Sequence, residues 1–182
     1  MPTGLTPGSA RRLKQIEKLT EATMLGIRHA NYLIGVHLTK LARTKILKPP
    51  KTGRIYHWRF PPESRTGPFR RHRASAIGES PANFTGRLKD SVSFLVKGQQ
   101  LHFGAGGPVM AGRWKGFEVS YARILELGGT TAGPGKARIG KRPYLKPAIT
   151  ESTKVVLNYY KQYIGQNVKA TITKEGMSIK VK

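Results

Sequence analysis

Residues 9–47, SARRLKQIEKLTEATMLGIRHANYLIGVHLTKLARTKIL, decide how this chain begins its fold. Ser9 is a good helix N-cap, and Pro49-Pro50 cannot continue a helix. Between them Leu13, Ile16, Thr20, Thr23, Ile27, Ala30, Ile34 and Leu41 follow a three–four spacing that lines one stripe. The spacing predicts a helix from Ala10 to about Leu47, roughly 50 Å long at ~1.5 Å per residue. That exceeds what one compact domain in a chain of 182 residues needs. Gly26 and Gly35 are poor helix formers, so a bend or break is expected there.

Upstream of the helix, residues 1–9 carry two prolines and two glycines and are expected to form an irregular arm. Downstream, residues 51–85 form a basic, proline-punctuated insert with weak periodicity. From Lys40 to Ser75 there are 11 basic residues and one acid, a net of +10 over 36 residues. A loop that long in a compact domain is functional or disordered. Ser91 to Phe103 reads as a hairpin, with Val92, Phe94 and Val96 alternating, a turn at Lys97-Gly98, and Leu101 and Phe103 returning. Residues 104–116 and 128–142 are glycine-rich loops. Ile149 to Ile164 reads as a second helix, and Val168–Ile172 with Met177–Val181 as a last hairpin. The expected fold is α+β. A long N-terminal helix is followed by a small, mostly antiparallel sheet with a second helix packed on it, extended basic loops and a C-terminal hairpin. Residues 10–164 are taken as one domain and 165–182 as an extension.

The charge is the strongest compositional signal. There are 33 Lys+Arg against 9 Asp+Glu, a formal net charge of +24, and only one of the acids is an aspartate, Asp90. Such an excess opposes compaction and points to an acidic partner. The absence of cysteine excludes disulfides and thiolate metal sites. No run approaches the ~18–20 apolar residues of a membrane span, and the N-terminus lacks a signal-peptide core. Synthesis in the cytoplasm, with no secretion route and no membrane partner, is the expectation.

Catalytic chemistry has little to stand on. His29, His37, His57, His72 and His102 show no metal-ligand spacing with carboxylates, and no nucleophile elbow, phosphate-binding loop or paired carboxylate occurs. Glu79 and Glu126 are expected in structural salt bridges. No cofactor, metal or catalytic residue is expected. The densest basic patch, Arg70-Arg71-His72-Arg73, suits phosphates or an acidic neighbouring subunit.

Three stretches carry a resemblance. They are Ala74–Ser91 (ASAIGESPANFTGRLKDS), Tyr121–Thr130 (YARILELGGT) and Arg142–Ala148 (RPYLKPA). Together with the long basic helix they resemble, in order over roughly residues 10–163, the head–tail joining (neck or tail-completion) proteins of long-tailed bacteriophages. Those have a Thr-Gly-x-Leu entry to a strand pair, a Tyr-Ala…Leu-Glu-x-Gly-Thr segment, and an Arg-Pro-aromatic-Leu-x-Pro-Ala entry to the last helix. The sequence departs from that pattern in its long insert, Arg54 to Arg73, and in its tail after Ile164.

The resemblance implies a non-enzymatic virion protein. It would be a homo-oligomer, a hexameric ring between portal-side adaptors and the tail tube, with DNA passing transiently through the centre. A tail-terminator subunit is the alternative in the same assembly, and a ribosomal or other RNA-binding protein the alternative from another class. A nuclease is disfavoured by the lack of clustered acids for Mg²⁺. The motif residues Gly86, Tyr121, Glu126, Gly128, Pro143, Tyr144 and Leu145 are expected to be scaffold. Gly86 and Gly128 suit turns needing positive φ, Pro147 suits a first helical turn, and Arg123 can pair with Glu126. Tyr144 and Leu145 are expected under the final helix, anchoring it to the sheet. Lys136, Arg138, Lys141 and Arg142, on a glycine-rich loop, are the candidates for a DNA-lined lumen. Arg70, Arg71 and Arg73, flanked by small residues and prolines, are the candidates for a neighbouring subunit.

Overall fold

The structure, a computed structural model, describes residues 7–50, 52–59, 66, 68–108, 115, 116, 118–131 and 135–174, without the side chains of 58, 59, 69 and 70. In chain order the elements are α1 (Pro7–Leu47), β1 (Ile55–Arg59), β2 (Phe69–Arg73), α2 (Arg87–Ser91), β3 (Ser93–Lys97), β4 (Gln100–Gly104), α3 (Ala122–Leu127), β5 (Gly129–Thr130), β6 (Arg138–Ile139) and α4 (Leu145–Lys174). The protein is α+β, with a long N-terminal helix, a long C-terminal helix and small antiparallel pairings. In place of one sheet there are three two-stranded ones, β1-β2, β3-β4 and β5-β6. The chain divides into two compact units. One takes in the described residues up to Gly35, Leu95–His102 and those from Thr153 on; the other is Val36–Phe94 with Phe103–Ser152.

The long helix forms as expected but differs in three respects. It starts at Pro7, inside the segment read as an arm, because proline's fixed φ and missing N–H suit the first helical position. It runs through Gly26 and Gly35 as one helix. Its buried positions include an i+4 row, Ala22, Gly26, Ala30, Ile34, Leu38, Ala42 and Ile46, with Asn31, Gly35 and Thr39 beside it, whereas Leu13 and Ile16 of the predicted stripe are 45% and 59% exposed. An i+4 row drifts about 40° per step around the helix. A straight three–four stripe therefore picks the wrong neighbours over so many turns.

In the first unit the small residues of that row let two helices approach closely. A Cβ on Gly26 would lie 2.8 Å from Ile164 Cα and 2.9 Å from Tyr163 O of α4. One helical turn on, buried Asn31 donates from Nδ2 to Gln99 O (2.7 Å) and accepts from Tyr160 Oη (2.5 Å). His29 packs its ring on Tyr163, centroids 4.5 Å apart. The stretch Val168–Ile172, expected in a hairpin, belongs to α4. Residues 155, 156, 159, 160, 163, 164, 167, 168, 171 and 172 are all half-buried. That is an i, i+4 pattern, which a strand cannot make. Residues 177–181, the other half of that hairpin, lie outside the described residues.

In the second unit the core is Ala42 and Ile46 of α1, Leu88, Val92, Val119, Ala122, Tyr144 and Ala148, with Leu41, Phe103, Ala105, Leu125 and Leu145 packed around it. The β3–β4 hairpin, whose residues Leu95–His102 belong to the first unit, matches expectation. Phe94, Val96, Leu101 and Phe103 are half-buried and alternate with exposed neighbours, including Leu95 at 62%.

Candidate functional site

The two basic segments that the sequence separates by some 60 residues share one root in the second unit. The first is not an irregular loop. Ile55 to Arg59 pairs antiparallel with Phe69 to Arg73, in the register Ile55↔Arg73, Tyr56↔His72, His57↔Arg71, Trp58↔Arg70 and Arg59↔Phe69. The β-branched and aromatic residues favour the strands, although interleaved arginines hide the alternation. Facing residues in such a pair share a side. Arg71 and Arg73 therefore lie on one face with His57 and Ile55, and both arginines are exposed. His72, on the other face, meets Phe84 with ring centroids 4.7 Å apart. Arg54 lies over the Tyr56 ring at 5.8 Å. The side chain of Arg70 lies outside the described residues; its backbone stands opposite Trp58.

At the foot of this ribbon the ladder continues through Gly53 N–H to Ala74 O and Ala74 N–H to Arg54 O, both 3.0 Å. Glu79 closes it. Its carboxylate accepts from Thr52 Oγ1 (2.5 Å), Thr52 N–H (3.3 Å) and Ala76 N–H (2.7 Å). The Thr52 hydroxyl, then the Ala76 N–H, hold the Glu79 carboxyl below its ordinary range, and Arg142 adds to the effect. Glu79 is thus a clasp on the Thr52 hydroxyl and backbone N–H groups, and among the described residues it makes no salt bridge. Because its folded value is depressed, the clasp contributes stability above the ordinary glutamate range and loses it as pH falls through the lowered value.

The second basic segment is the β5–β6 ribbon, Gly129↔Ile139 and Thr130↔Arg138, with Lys136, Arg138 and Lys141 all exposed. Its root meets the first. Gly78 N–H donates to Lys141 O at 2.9 Å, and Gly140 sits so close to Ile77 that a Cβ would fall 2.5 Å from its Cγ1. Arg142, expected to face a lumen, is instead half-buried in this junction. Its Nε donates to Ser75 O (3.1 Å) and its Nη1 to Gly140 O (3.5 Å). Its guanidinium ties one ribbon root to the other, which separates it from Lys136, Arg138 and Lys141.

The motif residues build the platform beneath. Gly86 stands before α2 at φ 86°. Gly128 ends α3 at φ 75°, with its N–H on Ile124 O. A Cβ there would also lie 3.2 Å from Lys141 N, so both conformation and space require glycine. Tyr121 stands just before α3 without a side-chain capping bond, and burial raises its hydroxyl pKa against the opposing charge of Arg87. Pro143 O accepts from Ser80 Oγ at 3.1 Å.

Glu126 does what the sequence did not suggest. No ion pair with Arg123 forms. Its carboxylate accepts from the N–H groups of Tyr144 (2.8 Å), Leu145 (3.0 Å) and Lys146 (2.8 Å), the open N-terminus of α4. Those N–H groups have no partner within their own helix, and the helix dipole favours a negative charge there. The spacing of Glu126 from an Arg-Pro-aromatic helix entry was the only available signal. Glu126→Ala is expected to cost about 2 kcal/mol, the upper end for a lost cap. Chemical denaturation checks it, and an unmoved midpoint would mean that water replaces the carboxylate.

A cleft of about 460 Å³ opens beside this platform, between residues 81–88 and Tyr121, Leu125 and Ile139. Among the described residues no group of His, Cys, Asp and Glu is placed to hold a metal ion, and no helix is long and apolar enough to cross a membrane. Comparisons with protein-family models, with curated proteins and with solved structures gave no match to this chain.

Proposed function

We propose that the chain is a structural subunit of a tailed-phage neck. In this reading it forms a ring that joins the DNA-filled head to the tail and lets DNA pass. One observation carries the reading. The residues that resemble the head–tail joining pattern, scattered from Leu88 to Ala148 in the sequence, meet in a single core. Leu88, Ala122, Tyr144 and Ala148 are buried together, with Leu125 and Leu145 against them. Glu126 of one motif caps the helix that the last motif opens.

The role is mechanical. The platform supplies rigidity, and the two basic ribbons supply contacts. Ring closure uses heterologous interfaces, for which long helices with exposed side chains are suited. Particles made without this protein are expected to accumulate as filled heads and separate tails that fail to join. Electron microscopy of such lysates, with infectivity counted beside it, tests the assignment. Normal infectious particles would remove it. Negative-stain images of the purified chain would add the ring itself, whereas ring-free protein with bound RNA would favour an RNA-binding role.

A further inference from the structure

We propose that the β1–β2 and β5–β6 ribbons form one sequence-independent binding surface for the phosphodiester backbone of duplex DNA. The contacting residues are Arg71, Arg73, Lys136, Arg138 and Lys141. The proposal rests on the geometry of the ribbons and not on the neck assignment, and it would hold for a DNA-binding protein of any kind.

All five side chains are exposed. The two ribbons are strapped together at their roots by Gly78 to Lys141, Gly140 on Ile77, and Arg142 to Ser75 and Gly140. The charges are thus mounted on one anchored base and not on independent loops. The ten strand residues of β1 and β2 include four arginines, two histidines and no acid. The Glu79 carboxylate at the root is occupied by Thr52 and Ala76. A two-stranded ribbon is marginal by itself, so the repulsion among its arginines calls for a counter-charge from outside.

Two partners could supply that charge, an acidic protein and a nucleic acid. Cores of protein–protein interfaces are depleted of charge, whereas protein–DNA interfaces are far more positive. A contact set made of five cations fits the second. Arginines also meet phosphates bidentately, and a two-stranded ribbon is of a size that the major groove of a duplex admits. Arg71 and Arg73, two apart on one strand face, stand roughly 7 Å from one another along the strand, so that each can take its own phosphate. Small residues and prolines flank Arg71 and Arg73 and suggest a neighbouring subunit, but the segment pairs as a strand, and in this proposal its arginines turn to DNA.

The test is a salt titration of the full chain binding a labelled random-sequence duplex, read by anisotropy. Three variants are compared: Arg71→Gln with Arg73→Gln; Lys136→Gln with Arg138→Gln and Lys141→Gln; and a charge-matched control on α1, Arg11→Gln with Arg12→Gln. Each phosphate contact contributes about −0.9 to the slope of log K against log salt. The first variant should flatten the slope by about 2 and weaken binding on the order of 50-fold near 0.1 M salt. The second should flatten it by nearly 3, while the α1 control changes affinity by less than about threefold. Thermal melting confirms that each variant is folded. If the α1 control loses as much as the ribbon variants, binding is a property of total charge and the proposal fails. It fails equally if the ribbon variants bind DNA normally, or if they lose binding to poly-glutamate and not to DNA. Loss of DNA binding with intact rings, or rings absent with DNA binding intact, keeps the fate of this proposal separate from that of the neck assignment.

Discussion

Replacing Tyr144 by alanine is expected to leave the protein poorly soluble and to cost about 3–5 kcal/mol where it can be measured, the range for truncating a buried aromatic. Tyr144 is fully buried and touches the same core as Ala42 and Ile46 of α1, Leu88, Val92, Val119, Ala122 and Ala148. It therefore pins the start of α4 to α1 and to the short helices, where a sheet anchor was expected; Phe103 of β4 only borders this cluster. A loss of 3–5 kcal/mol is a large share of the ~5–15 kcal/mol that holds a domain folded. The phenylalanine variant should behave in the opposite way. Among the described residues the Tyr144 hydroxyl is buried without a hydrogen-bond partner. Burial, then the nearby Glu126 charge, drives its pKa far up. Removing an unsatisfied buried hydroxyl is close to neutral or stabilising. Urea denaturation of Tyr144→Phe and expression of Tyr144→Ala check the pair. An alanine variant that melts like the parent would place Tyr144 outside the core.

The same residue shows how far the sequence could be read. Tyr144 and Leu145 were legible because an aromatic-Leu pair just before a Pro-Ala helix entry has few uses besides packing under that helix. Gly86 and Gly128 were legible because a glycine at the edge of a short apolar run marks a turn, and the β3–β4 hairpin because its alternation is uninterrupted. Three features were not legible, each for a physical reason. Among the described side chains of the β1–β2 ribbon none is fully buried, and no apolar alternation marks it in the sequence; arginines occupy positions that a covered sheet would fill with apolar side chains. The end of α4 contains Val168, Thr171 and Ile172, which favour strands, but the penalty for each in a helix is only some tenths of a kcal/mol. A helix already running from Leu145 extends at little cost, since nucleation is its expensive step. The capping role of Glu126 depends on α3 ending beside the start of α4, which is tertiary information. Charge also misled locally. Arg142 belongs to the same basic run as Lys141, yet its guanidinium is bound to Ser75 and Gly140 carbonyls. Composition counts it as surface charge, and only the junction reveals it as a tie.

The sharpest expectation about the architecture concerns Gly26, because two effects of opposite sign meet there. Within a helix, Gly→Ala ordinarily stabilises by about 0.5–1 kcal/mol through backbone entropy. Gly165, on α4, tests that effect alone: a Cβ there meets nothing within 4 Å, so Gly165→Ala should raise the midpoint by that amount. At Gly26 the added Cβ would stand 2.8 Å from Ile164 Cα and 2.9 Å from Tyr163 O. These are backbone atoms that no rotamer change can withdraw, so the two helices must separate. Separation strains the neighbouring Asn31–Tyr160 hydrogen bond and the His29–Tyr163 contact. Overpacking of this kind costs about 1–3 kcal/mol and sometimes more, which outweighs the propensity gain. Gly26→Ala should therefore be destabilising by about 1–2 kcal/mol, and Gly26→Leu by about 3 kcal/mol or more, despite leucine's higher helix propensity. Denaturant midpoints of the three variants decide the matter by sign. If Gly26→Ala rises together with Gly165→Ala, the helices do not approach at Gly26, and the i+4 row of small residues from Ala22 to Ala30 is not a packing seam.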